Sequence, residues 1–383
     1  MQSLFNNNMV SMKTFAKAAF FSLGSLLLSA ATVKAQDDIY PAKDYKGKLF
    51  ITGGTIHVGN GQVIEGGSIE VDNGKIVKIG TGLTAPGGEV KLIDAKGKQI
   101  YPGLILPVTD LGLHEIGSGV RGSNDFSELG DLNPSIRSIV AYNTDSKVIN
   151  TLKSNGILLA GVAPQGGTIS GSSTVVQLDA WNWEDAAYKM DGAIHLNLPT
   201  FISRPRRFGG GGGFPGAQPP GDPVKLALEK IDEVRTFFRE AKAYGRESTH
   251  KETNLKFEAV KGLFSRQQKL FIHGDQVKQM LIAIDFAKEF GFDEVIVGGS
   301  ESWLIADLLK QNNIAVILKE EHALPSTEDD DVDQPYKTPA QLQKAGVLFA
   351  LNDEHEESRY HNLMFNAGTA AAYGLTKEQA LQA

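Results

Sequence analysis

The chain has no cysteine among its 383 residues. Disulfides, thiolate zinc sites, iron–sulfur clusters and cysteine nucleophiles are therefore excluded. Positive charge is also short, since 38 basic against 45 acidic side chains give a formal charge of −7. The first 35 residues hold Lys13, Lys17 and Lys34 and no acid, so the remainder stands at 35 minus 45, or −10. A nucleic-acid-binding protein shows a basic footprint, and that class is disfavoured here. Beyond residue 35 no apolar run approaches the ~20 residues of a membrane-spanning helix. With 41% hydrophobic and 22% charged residues the composition is that of a globular protein, which excludes disorder of the whole chain. Glycine, at 42 residues, is the abundant type and predicts many tight turns.

The amino terminus reads as an export signal over residues 1–35. Lys13 and Lys17 precede the apolar run Ala18 to Ala31, and Val33-Lys34-Ala35 supplies a small-x-small cleavage site before Gln36-Asp37-Asp38. That run is too short for a comfortable bilayer span. The expected location is periplasmic or extracellular.

Residues 36–99 read as a small β module. Leu49–Thr52, Thr55–Val58, Ser68–Val71 and Lys75–Ile79 are short β-type runs, with Gly53-Gly54, Gly59-Asn60-Gly61 and Asp72-Asn73-Gly74 as turns. From residue 100 apolar runs alternate with helical stretches. Examples are Leu270–Ile272, Glu294–Val297, Ile314–Leu318 and Val347–Leu351, with Val277, Met280, Leu281, Ile284 and Ala287 at helical spacing between the first two. Thr338-Pro339 is expected to open another helix. Repeated β–α–β units imply a parallel sheet, and eight of them close a barrel. A Gly/Pro-rich insertion near 204–223 reads as a lid or linker. It lacks the lysine of a phosphate loop. Asp222-Pro223 then caps a long helix whose expected buried stripe is Leu226, Ile231, Val234 and Phe238. Gly166–Ser173 reads as a tight loop, and Trp181 and Trp183 as candidate ligand-stacking side chains.

Several stretches in a fixed order carry a resemblance. They are Gly53-Gly54-Thr55-Ile56, Ile69–Ile76, Ile100-Tyr101-Pro102-Gly103-Leu104-Ile105, Phe271–Asp275, Ile296–Glu301 and Ala350–His355. Together they resemble the amidohydrolase superfamily, in particular imidazolonepropionase-like and dihydroorotase-like metal-dependent hydrolases. The resemblance implies a TIM-type (β/α)8 barrel over 100–383, preceded by a small, incomplete β-sandwich. It also implies hydrolysis of C–N bonds other than peptide bonds. Relatives of that kind hold one or two divalent metals at the strand ends, which lower the pKa of a bound water.

The implied ligand set is not intact. The two histidine places after Pro102-Gly103-Leu104-Ile105 are Val108 and Asp110, and the strand-six place is Gly298. No carboxylate stands near strand four, where the chain reads Ile194-His195-Leu196-Asn197. Candidate metal ligands are thus His273 with Asp353 or Glu354, and candidate substitutes are Asp110, His114 and Glu115. His114, His195 and His355 taken singly read as hydrogen-bonded loop histidines. The leading expectation is a catalytically degenerate, pseudoenzyme-like binding or partner subunit with no cofactor. The alternative is an active hydrolase with a relocated zinc or manganese site, acting on small cyclic amide-type substrates. Relatives also return strands to the β module after the eighth helix, whereas this sequence stops at Ala383. A protein partner completing the module is the corresponding expectation.

Overall fold

A computed structural model describes residues 41–42, 45–115, 124–201, 222–247, 249–319, 321–325, 329–353 and 359–383. The expected export signal, the glycine-rich insertion as far as residue 221, and Glu354 and His355 lie outside these. The chain divides into two units, Met1–Lys43 and Asp44–Ala383, and both sheets belong to the second. Among the described residues no helix is long and apolar enough to cross a membrane.

The first sheet contains β1 (Lys48–His57), β2 (Val63–Asp72), β3 (Lys75–Gly80), β4 (Val90–Asp94) and β5 (Gln99–Ile100). Its order is β3-β2-β1-β4, with β5 against the far end of β1. The expected break at Gly53-Gly54 is instead an irregularity within one continuous strand. Gly53 takes a φ of +80°, and a Cβ on Gly54 would lie 2.6 Å from the Ile100 side chain. The two glycines let β1 bend while β5 packs against it. Ile76, Ile79 and Leu92 of this sheet are exposed.

The second sheet has eight strands, β6 (Leu104–Thr109), β7 (Ile157–Val162), β8 (Ile169–Gln177), β9 (Ala187–Asn197), β10 (Lys269–Gly274), β11 (Glu294–Gly298), β12 (Ala315–Leu318) and β13 (Phe349–Leu351). They neighbour one another in sequence order. This is the barrel the sequence predicts, with one difference. Strand β8 runs antiparallel to both β7 and β9, so a three-strand meander replaces two β–α–β units. The run that reads as a tight loop is a Gly166-Gly167 turn followed by β8, whose Ser170, Ser172 and Thr174 are buried.

Two apolar layers follow from strand alternation. Leu106, Ile272, Ile296 and Val316 face the covering helices and join the large core. Val108, Ala163, Val295, Val297 and Ile317 form a second cluster, with Phe271 and Ala350 against it. The helix Pro223–Tyr244 starts where expected, its Asp222 side chain accepting from the Val224 N–H at 3.0 Å. Its buried stripe is Ala227, Ile231, Val234, Phe237, Phe238 and Ala241. Leu226 is exposed, because the covered face starts one position later. The helix Val277–Phe290 ends at Gly291, in the left-handed region at φ 76°. Leu281 falls on its open side. The last strand is preceded by a helix that begins at Gln334, four residues before Thr338, and Pro339 sits inside it.

The backbone ladder runs from β6 to β13, and a side chain joins its two ends. Asn352 Oδ1 accepts from the Val108 N–H at 3.3 Å, and Asn352 Nδ2 donates to the Val108 carbonyl at 2.9 Å. A primary amide carries one acceptor and donors, as a peptide unit does, so it can stand in for a strand residue. Next to it, the Leu351 N–H donates to the Ala383 carbonyl at 3.0 Å. Asn352 is fully buried. Replacing Asn352 with leucine strands two buried backbone groups, at ~1–3 kcal/mol each. Urea unfolding of Asn352→Leu is expected to show a loss of ~2–6 kcal/mol, and a loss under ~1 kcal/mol would refute the seam's contribution.

Candidate functional site

In barrels of this type side chains for chemistry converge at the carboxyl ends of the strands. The end of β6 delivers Asp110, which is 6% exposed. The Tyr360 hydroxyl donates to its Oδ1 through a short hydrogen bond, and Gln165 Nε2 donates to its Oδ2 at 3.0 Å. His114 Nδ1 approaches the same Oδ2 at 3.8 Å. The loop between them turns at Gly112, with φ +73°, where a Cβ would lie 2.7 Å from the Tyr142 ring. Only glycine gives this turn without strain. Glu115 points elsewhere. It accepts from Asn143 Nδ2 and from the Ser146 hydroxyl, both at 2.9 Å, and so straps this loop to the segment that follows.

His195 near the end of β9 and His273 on β10 stand side by side, with Nδ1 of the first 2.8 Å from Nε2 of the second. His195 is therefore a strand residue, and it is fully buried, with its ring edge-on to Phe271 at 5.2 Å. Burial lowers its pKa to about 3. The His273 pKa is also pushed well below 6.5, by burial first and then by the nearby charges of His195 and Lys319. Both rings are neutral near pH 7, so one ring nitrogen donates and the other accepts. Either way the His273 Nε2 is engaged. Its lone pair receives a proton from His195, or it carries a proton itself.

The remaining positions are similarly occupied. Asp353 is 1% exposed and accepts from Asn366 Nδ2 of the helix Leu363–Ala372 at 3.2 Å. Val108 belongs to the inner apolar cluster. Gly298 sits at φ +106°, and a Cβ there would lie 2.5 Å from Asp275 Oδ1. No larger residue enters that place without displacing Asp275. Asn197 at the end of β9 donates to the Gly167 carbonyl at 2.9 Å and to the Ser170 hydroxyl at 2.8 Å, fastening the turn before β8.

Of the sequence candidates, the structure brings Asp110 and His114 together, and gives His273 a histidine as its neighbour. Glu115 and Asp353 each bind other side chains, and Glu354 is outside the described residues. Among the described residues no group of three histidines or carboxylates can hold a metal ion. Among the described residues the donors stand in pairs, whereas a zinc site takes at least three converging ligands. Trp181 and Trp183 are 61% and 37% exposed. They lie in the connection leading into β9, while His195 lies eight residues along that strand, ~26 Å away at strand rise. The Trp181 carbonyl accepts from the Thr144 hydroxyl at 3.2 Å, next to Asn143, which donates to Glu115. Tyr360, Gln165 and Asn366 were not legible as site residues, since nothing in their sequence surroundings marks the carboxylates they hold.

No protein-family model and no curated protein sequence is matched by the chain. Among solved structures, an amidohydrolase from Thermotoga maritima is similar at 21% identity and a TM-score of 0.70, covering 87% of this chain and 85% of that one. A prolidase complexed with N-methylphosphonate-L-proline is similar at 15% identity and a TM-score of 0.48, covering 87% and 84%. A Xaa-Pro dipeptidase with bound methionine is similar at 13% identity and a TM-score of 0.48, covering 88% and 86%. The first likeness shows the fold, an amidohydrolase-type barrel with a separate small β sheet.

The buried histidine carries a pH consequence. Its folded-state pKa lies below the ordinary 6.5, so between about pH 6.5 and 3 the unfolded chain binds the extra proton. Stability then falls as pH falls, by up to ~1.4 kcal/mol per pH unit for this group. Denaturant unfolding at stepped pH should show this slope, and His195→Gln should reduce it. An unchanged slope in the variant would contradict a buried neutral histidine.

Proposed function

We propose that this amidohydrolase-fold chain is an exported binding protein that has given up metal-dependent hydrolysis. The observation that carries the proposal is the His195–His273 hydrogen bond at 2.8 Å. The one histidine that matches the fold's usual ligand pattern is spent on a neighbouring side chain. Metal binding through His273 Nε2 would break this bond and return His195 Nδ1 to an unpartnered burial, at ~1–3 kcal/mol. Valine at the first ligand place and a glycine without room at the strand-six place support the same reading. No hydrolytic step through a metal is derived for this site. The export half rests on Lys13, Lys17 and the apolar run to Ala31. The partner half rests on the exposed Ile76, Ile79 and Leu92 of the module, apolar surface that a second protein would cover. Exposed Trp181 and Trp183 offer a stacking surface for a small ligand.

A second reading has one observation behind it, the 3.8 Å approach of His114 to Asp110. A relocated zinc or manganese site could grow from this pair if His273 or an acid after β13 joined it, and cyclic amides would then be the substrates to try. Metal content separates the two. The chain is equilibrated with zinc and manganese, dialysed, and its bound metal counted by elemental mass spectrometry. Far less than one metal per folded chain is expected. Near one metal per chain, lost in His273→Ala or Asp110→Asn, would overturn the binding-protein reading.

A further inference from the structure

The β module and the barrel meet at His57, the last residue of β1. Its Nδ1 lies 2.7 Å from Glu378 Oε1 on the helix Lys377–Gln382. Its Nε2 lies 2.7 Å from Gln99 Oε1, and its ring stacks on Tyr101 with centroids 4.4 Å apart and planes 11° from parallel. Both ring nitrogens thus face oxygens that accept hydrogen bonds. An imidazole can donate from both nitrogens only as the imidazolium cation. The charged groups that face it are Glu378 and, from β2, Glu65, whose carboxylate also accepts from the Thr55 hydroxyl at 2.7 Å. The second Glu378 oxygen is buried without a hydrogen-bond partner, so this carboxylate depends on the cation beside it.

We propose that His57 is a pH-operated latch. As the imidazolium it ties the β module to the helix Lys377–Gln382, and on losing its proton it weakens that tie. The neutral ring leaves Nε2 as a lone pair against the Gln99 oxygen, or Nδ1 as a lone pair against Glu378. One bond must break or the Gln99 amide must turn over. In either case the Glu378 carboxylate keeps its charge and loses its counter-charge. The effect reaches further along the chain. The Ala383 carbonyl, which directly follows this helix, accepts from the Leu351 N–H. Leu351 adjoins Asn352, which closes the barrel, so the end of the helix that the latch holds is bonded beside the seam.

The His57 pKa is raised above 6.5, with the Gln99 hydrogen bond as the largest cause, opposed by burial and reinforced by Glu378 and Glu65. A raised folded-state value means that the latch contributes fully below about pH 6.5. Its contribution disappears as pH climbs through the folded-state pKa.

The test uses the full chain. Imidazole nitrogen shifts followed by NMR should show both His57 nitrogens protonated at about pH 6 and a titration point above the ordinary 6.5. Glu378→Gln should bring that point down. The melting temperature of the parent should exceed that of His57→Gln at about pH 6, and the gap should close by about pH 9. Exchange protection of the Leu351 amide, corrected for the intrinsic pH dependence of exchange, should fall over the same range. A His57 that titrates at or below 6.5, or a melting gap that persists at high pH, would overturn the latch. If His57→Gln does not fold, the titration of the parent decides. Leu351 protection that ignores the titration would overturn the link to the seam.

Discussion

A strand sheet that curls into a barrel must join its first strand to its last, or leave two rows of unpaired backbone groups. Here one buried amide makes the join, and much of the structure is arranged around it. Asn352 holds Val108 by both its N–H and its carbonyl. That fixes β6 against β13 and places Val108 in the inner apolar cluster. Val108, which the resemblance sets at a histidine place, is therefore the residue at which the barrel is closed. Two residues further, Asp110 is presented at the mouth and taken up by Tyr360 and Gln165. Closure and the character of the mouth share the same short stretch of chain.

The polar side chains at that mouth are paired with one another. His273 has His195, Asp110 has Tyr360, Asp353 has Asn366, and Asn197 has Ser170. Each pair satisfies one donor or acceptor that burial would otherwise penalise, while His195 Nε2 and Asn366 Oδ1 stay buried without a hydrogen bond. A metal site needs the opposite arrangement, in which several lone pairs converge on an empty point and are held apart by their neighbours. The same kinds of residue are present, but their partners differ.

The barrel was legible because buried strands and amphipathic helices alternate at the right lengths from β10 onward. Phe271 to Gly274, Glu294 to Gly298 and Phe349 to Leu351 fall where the sequence places strands five, six and eight. The reversal of β8 was not legible, because alternation within a strand carries no direction. Ser170 and Ser172 disguised the first part of that strand as a loop, since hydroxyl-bearing residues favour turns unless tertiary burial overrides them. Gly53-Gly54 resembled a turn for a related reason, and only the packing of Ile100 against Gly54 shows why a strand needs glycines there. The His195–His273 contact joins residues 78 apart, and it follows from the register of β9 on β10 rather than from any local pattern. Leu226 and Leu281 show the finer limit, since helical periodicity finds a face but not its edges.

The reversed strand also bears on how the chain assembles. A parallel neighbour is reached only after a long crossover, so its pairing closes a large loop at high entropic cost. The meander β7-β8-β9 avoids this, because Leu159 meets Gln177 and Val176 meets Ala187 across short connections. In an otherwise non-local wall it is the stretch with the lowest loop-closure cost. It would serve as a template on which β10 and later strands are laid down, with the Asn352 seam closed last. Pulse-labelled amide exchange during refolding would show early protection in β8 and β9 if the barrel grows from this stretch, and simultaneous protection of all eight strands if it does not.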